Sequence, residues 1–410
     1  MKTTHKIIQG DVLDGLRTLP DGSVHCVVTS PPFWGLRDYG VESQMGLEKT
    51  PEEYVANLVN VFREIKRVLR DDGTVWLNLG DSYWGGKGQS GNCGGDNQEV
   101  RHDKGTSLNR GYQTLGGAKE TRPTDGKHPV IKPKDLVGIP WRVAFALQAD
   151  GWYLRSDIIW AKSNPMPESV SDRPTKSHEY IFLLSKNPKY HYDFEGMKEP
   201  SKHPGVKHVV SKTGKAHSNE LGLDTRPKVN WETGLTRNRR TVWDIPTKPF
   251  KGAHFAVFPE KLIEPCIKAG TSEKGACVEC GTPLKRIIKL GEIRQLGHAP
   301  SRKAQEIILK YRGESGLTHS GMVSNQTREK LTTGWIPTCK CDVSETKPCV
   351  VLDPFMGSGT VAVVARSLNC SSIGCELNPA YIDIYKKRLG INSQLDTGNA
   401  TYIFETVGGK

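Results

Sequence analysis

The stretch that decides the fold is VVLDPFMGSGT, Val350 to Thr360. Val350 to Leu352 is the short apolar run of a buried strand, and Asp353 closes it. A turn carrying Gly357 and Gly359 follows. Then Val361, Val364, Ala365 and Leu368 fall on one face of a helix. Glycines between strand and helix let backbone N–H groups come close to a ligand at the helix N-terminus. A second strand, Ser372 to Cys375, ends in Glu376, 23 positions beyond Asp353. An acid at that place is set to accept hydrogen bonds from ribose hydroxyls. A phosphate loop is excluded in two ways. The Gly-Lys-Ser/Thr ending is missing, and the Asp353 carboxylate repels phosphate while suiting a cation. The bland alternative is a generic βαβ unit with a glycine turn.

Working outward, Val24 to Val28 is another buried strand, and it feeds into Thr29-Ser30-Pro31-Pro32-Phe33-Trp34. Two consecutive prolines fix the backbone and bring no N–H of their own. Ser30 adds a small donor/acceptor, and Phe33 and Trp34 add aromatic faces. That set fits a base drawn out of its stack, with its amino group on Ser30 and the Pro31 carbonyl and its ring on Phe33. The rest of the chain has the same rhythm. Lys6 to Ile8 reads as a strand, and Thr50-Pro51-Glu52-Glu53 is a capping box opening a helix that runs to about Gly73. Thr74 to Leu79 is a strand, Asp135 to Ala149 a helix, Tyr153 to Trp160 and Tyr180 to Leu184 strands, and Pro259 to Gly270 a helix. Alternating strands and helices predict a mostly parallel sheet covered on both faces. Two polar stretches without periodicity, 85–133 and 188–240, interrupt it.

Together these two loops resemble the amino-methylating DNA methyltransferases, and their order (catalytic loop first, cofactor loop last) resembles the beta class of that family. The resemblance implies an α/β, Rossmann-like fold that uses S-adenosylmethionine. Ser30, Pro31, Pro32 and Phe33 match the family's catalytic loop, with Trp34 beside it. Asp353, Phe355, Gly357, Gly359 and Thr360 match the cofactor loop, Glu376 the ribose-binding acid and Asp11 the residue contacting adenine. Phe255, in His254 to Pro259, resembles the segment packing on the methionine portion. Lys162 and Asn164 resemble a loop facing the substrate base. Residues 1–194 would carry the catalytic part, 253–276 and 342–392 the cofactor part, 195–252 target recognition, and 393–410 a C-terminal tail. The product the resemblance implies is N4-methylcytosine in double-stranded DNA, because adenine-specific members generally carry Asp or Asn where this chain has Ser30. Adenine N6 is the alternative. Carbon-5 methylation needs a cysteine nucleophile, and neither Pro265-Cys266 nor Pro348-Cys349 resembles such a loop. Methylation of RNA or of protein glutamine resembles this chemistry, but those loops commonly begin with Asn.

The ten cysteines are unevenly placed. Cys277-x2-Cys280 and Cys339-x-Cys341 offer four thiolates, the donor set of a structural zinc site, at the two ends of a basic insertion, 277–341. A net charge of +12 suits a polyanionic partner, since each phosphate neutralised releases counterions. A non-catalytic zinc-bearing DNA-binding protein accounts for the charge and the cysteines, but it leaves both loops unexplained. With no apolar run long enough to span a bilayer and no signal peptide, the expected setting is cytoplasmic, on DNA, with no membrane partner. A companion restriction endonuclease and the oligomeric state stay open.

Overall fold

Val351 and Leu352 pair in parallel with Cys26 and Val27, so the two loops singled out above leave the sheet side by side. The computed structural model describes residues 1–41, 43–85, 123–125, 127–202, 207–211, 228–232, 235–248, 258–295, 326–391 and 399–408. The chain divides into two units. The first comprises Met1–Gly196, Arg240–Lys285 and Pro337–Lys410.

Nine strands form the sheet of this first unit. They are β1 (Thr3–Gln9), β2 (Val24–Thr29), β3 (Leu69–Leu79), β4 (Tyr153–Ala161), β5 (His178–Ser185), β6 (Val242–Asp244), β7 (Val350–Asp353), β8 (Ser371–Glu376) and β9 (Ala400–Thr406). Their spatial order is β6-β4-β5-β3-β2-β7-β8-β1-β9. Only β5 runs antiparallel to its neighbours, β3 and β4; the other pairings are parallel. The expected mostly parallel sheet is present. Its helices are α1 (Val12–Arg17), α2 (Pro51–Val68), α3 (Ile139–Ala149), α4 (Glu260–Gly270), α5 (Thr360–Ser367) and α6 (Pro379–Leu389).

The α2 helix shows how local sequence sets an element. Thr50 caps it by accepting the Glu53 N–H, and Pro51 takes the first turn, where no N–H partner is needed. Tyr54, Leu58, Val61, Phe62, Ile65 and Val68 then bury one face, as their spacing predicts. The helix stops at Val68 rather than near Gly73. Leu69 turns extended and pairs with Val24, so β3 starts five residues before the expected Thr74. Burial of Leu69 in the sheet outweighs helical continuation at an amphipathic end.

Two boundaries differ from the sequence reading. Residues 393–410 are not simply a tail, because Ala400–Thr406 forms β9 at the sheet edge, parallel to β1. Tyr402 is buried there and stacks on His5 at 5.3 Å. The second unit joins Met197–Arg239 to Arg286–Ile336, which the sequence reading assigned to separate regions, 195–252 and 277–341. It contains the strand pairs 199–200 with 236–237 and 207–211 with 228–232, and a two-stranded ladder of Lys285–Gln295 with Gln326–Ile336. Residues 240–248 instead belong to the first unit, where β6 extends the sheet beside β4. No helix among the described residues is long and apolar enough to cross a membrane.

Candidate active site

A cavity of about 530 Å³ opens at the C-terminal ends of β2, β3, β7 and β8. That is where open α/β sheets bind ligands, and the volume lies in the range of small-molecule sites. Ser30, Pro31, Pro32 and Phe33 line it, as do Asp11, Asp353, Phe355, Gly357, Thr360, Glu376 and Lys162.

On the cofactor side, Asp353 Oδ1 accepts the Thr29 hydroxyl at 2.8 Å and the Phe355 N–H at 3.1 Å. Burial nonetheless pushes its carboxyl up to about 7. Glu376 spans the turn: Oε2 accepts the Gly357 N–H at 2.7 Å and Oε1 the Asn378 N–H at 2.8 Å. Burial pushes this acid up to about 7 as well. Two desolvated carboxylates in one wall call for a ligand with positive charge and hydroxyl donors. Asp11 caps α1 through Oδ1, which accepts the Leu13 N–H, and its side chain also borders the cavity. Thr360 is buried and accepts Arg388 Nη1 at 2.8 Å, which ties the start of α5 to the end of α6.

On the catalytic side, a chain of polar contacts sets the direction of one hydroxyl. Asn78 Nδ2 donates to Glu179 Oε2 at 3.0 Å and to the Tyr180 carbonyl at 3.1 Å. Its oxygen is therefore the end that faces Ser30, whose hydroxyl donates to it at 2.9 Å. With that proton committed, the lone pairs of Ser30 Oγ are left for the cavity. Tyr54 donates its hydroxyl to the Pro32 carbonyl at 2.8 Å. Among the described residues no donor meets the carbonyl of Pro31. Phe33 packs on Gly80, where a Cβ would stand 2.5 Å from the ring. Lys162 pairs with Glu179 and lies over the Trp160 ring at 4.7 Å.

Three expected site residues do other work. Trp34 is 1% exposed, donates its indole N–H to the Glu48 carbonyl at 2.9 Å and stacks on Trp84, so it belongs to the core. Asn164 lies outside the cavity wall and fastens a loop by exchanging hydrogen bonds with the Thr247 backbone. Gly359 also lies outside the wall, with φ +75° and its α-carbon against Tyr385. Phe255 lies outside the described residues. The sequence reading missed Asn78, Glu179, Asp81 and Lys176, which also line the cavity. Burial lowers the Lys176 ammonium, which stands 3.9 Å from Asp81. Asn78 had one visible signal, an amide inside the apolar run of β3.

Residues 24–278 and 303–387 match the DNA methylase family N6_N4_Mtase. The chain belongs to this family. It is 39% identical to the Type II methyltransferase M.Cfr9I of Citrobacter freundii over 93% of this chain and 87% of that one. It is 39% identical to M.XycI of Xanthomonas campestris pv. cyanopsidis over 95% and 89%. Among solved structures it resembles the PvuII cytosine-N4-specific DNA methyltransferase at a TM-score of 0.49 and 16% identity, over 97% of this chain and 89% of that one. As a DNA methylase the chain acts on DNA, and the cavity's donor set fits the family's expected cofactor, S-adenosylmethionine. Its ammonium and sulfonium are the cations that Asp353 would face, and its ribose carries the hydroxyls that Glu376 would accept.

Proposed function

We propose that this DNA methylase methylates the exocyclic N4 amino group of a cytosine drawn out of double-stranded DNA. The observation that carries this reading is that Ser30-Pro31-Pro32-Phe33 and the Asp353 turn leave adjacent parallel strands and line one cavity. S-adenosylmethionine supplies, when bound, an electrophilic methyl group on a sulfonium.

An aryl amine is a poor nucleophile because its lone pair is shared with the ring. Ser30 Oγ and the Pro31 carbonyl are acceptors at neighbouring positions of a rigid loop, and each accepts a hydrogen bond from one N–H of the amine. Both protons are then held by acceptors, which favours a pyramidal nitrogen and frees its lone pair for attack. Phe33 offers a ring face for stacking. Catalysis by these residues is positioning and electrostatics, with no covalent step on the protein. The choice of cytosine rests on Ser30 standing where adenine-specific members generally carry Asp or Asn. The Type II relatives support a place in a restriction-modification system, with a companion endonuclease cutting the same unmodified sequence.

The test is nucleoside mass spectrometry of DNA incubated with the enzyme and isotope-labelled S-adenosylmethionine. Labelled N4-methylcytosine is the expected product. Labelled N6-methyladenine alone would overturn the base assignment, and unlabelled DNA would overturn the reading of the cavity.

A further inference from the structure

The active cavity makes no use of Cys277, Cys280, Cys339 and Cys341, yet their four sulfurs lie within 4.8 Å of one another. Zinc–thiolate bonds of about 2.3 Å set tetrahedral sulfurs about 3.8 Å apart, so small side-chain rotations complete the shell. None of the four is in a disulfide. Backbone geometry forms the first half of the site. The Gly281 N–H donates to the Cys277 carbonyl at 3.0 Å, and the Cys277 N–H to the Thr282 carbonyl at 2.9 Å, closing a tight knuckle. Gly281 has φ +70°, a conformation that L side chains rarely adopt.

The knuckle is fixed to the sheet at the end away from the cavity. Arg70, second residue of β3, donates to the Cys280 carbonyl at 2.8 Å. His25, second residue of β2, contacts the Gly281 carbonyl through Nε2 at 2.9 Å and the Val350 N–H through Nδ1 at 3.0 Å. Ser30, the residue after β2, lies five positions beyond His25, roughly 16 Å at 3.3 Å per residue. A metal here touches no reacting atom.

We propose that these four cysteines bind one zinc ion, which staples the two points where the chain leaves and re-enters the catalytic unit. The chain departs after Lys285 and returns at Pro337, and one cysteine pair lies within this unit beside each point. The two ends are also joined by a two-residue ladder, Ala276–Cys277 with Thr346–Lys347, by the Val278 N–H donating to the Glu345 carbonyl at 3.2 Å, and by the strand pair Lys285–Gln295 with Gln326–Ile336, which begins where the chain departs and ends where it returns. Cys280 and Cys339 are separated by 58 residues, so a four-thiolate clamp removes the freedom of a long loop. An all-sulfur donor set selects zinc over magnesium or calcium.

The test is metal analysis of the full chain, purified without added zinc or chelator. One zinc per chain is expected, and titration with a mercurial reagent should release it with four thiols consumed. Cobalt reconstitution should give the thiolate-to-metal absorption of a tetrahedral site. Cys339→Ser should lower zinc retention at least tenfold while calorimetric affinity for S-adenosylmethionine stays within twofold. The cofactor arm keeps a failure of the metal site distinguishable from a failure of the methylase reading. Folded wild-type protein holding less than a tenth of an equivalent of zinc, or giving no cobalt–thiolate band, would overturn the staple even if the variant did not fold.

Discussion

The Thr29 hydroxyl reaches Asp353 Oδ1 at 2.8 Å, joining residues 324 apart in sequence across the parallel pair β2–β7. Thr29 is the last residue before the catalytic loop and Asp353 the last before the cofactor turn. Both are buried, so the bond operates with little solvent competition. It fixes the registration of the two loops and supplies a donor to a carboxyl that burial would otherwise keep protonated.

Thr29→Val keeps the branched shape and removes that donor. Asp353 should then titrate at still higher pH, and S-adenosylmethionine should bind about fivefold more weakly at pH 7.5, the equivalent of about 1 kcal/mol. Isothermal calorimetry measures this, and an affinity equal to wild type would mean the bond contributes nothing to the cofactor side.

The two carboxyls also set a pH dependence. Asp353 and Glu376 are both raised to about 7, so the folded chain holds protons between about pH 4 and 7 that the unfolded chain has released. The stability from these neutral acids is full below their unfolded pKa and is lost as pH rises through 7. A cationic cofactor needs the ionised form. Affinity should therefore climb about tenfold from pH 6 to 8 if one proton is released on binding. Repeating the titration at pH 6.5 in buffers of different ionisation enthalpy counts the proton, and an affinity that falls with rising pH contradicts the assignment.

Asn78→Ala removes the acceptor that directs the Ser30 proton and also the link to Glu179. The single-turnover methylation rate should fall by about ten- to a hundredfold, the scale of lost orientation, with cofactor affinity nearly unchanged. Glu179→Gln should cost less, since its amide oxygen can still accept from Asn78. An Asn78→Ala enzyme with the wild-type rate would show that Ser30 needs no orienting partner.

The parts legible in the sequence are those that local chemistry dictates. Val350 to Leu352 reads as a strand because it runs into a glycine turn, and Thr50-Pro51-Glu52-Glu53 opens a helix because its cap and proline suit a first turn. The antiparallel insertion of β5 between β3 and β4 was not legible, because period and propensity carry no strand direction. Nor was β9: Ala400 and Tyr402 alternate correctly, but a single short strand has no partner in sequence to identify it. At the site, the loops were visible as motifs, whereas Trp34 was misread because an aromatic beside a catalytic loop looks the same from sequence whether it faces ligand or core. Asn78 and Glu179 are 101 residues apart and gain their meaning only when β3 pairs with β5.

Gly359 separates a glycine kept for its ligand from one kept for its packing. Its φ is +75°, and a Cβ there would overlap the ring of Tyr385, which is wholly buried. Gly359→Ala should cost roughly 1–2 kcal/mol for the left-handed backbone and a further 1–3 kcal/mol for overpacking, so about 2–5 kcal/mol. Gly390 is the control. It has φ +67° and nothing within 4 Å of an added Cβ, so Gly390→Ala should lose only the backbone part. Urea denaturation of the two variants measures the difference. Equal losses would mean that Tyr385 moves aside freely and that Gly359 is retained for its backbone angle alone, whereas a larger loss at Gly359 assigns the excess to the contact between α5 and α6.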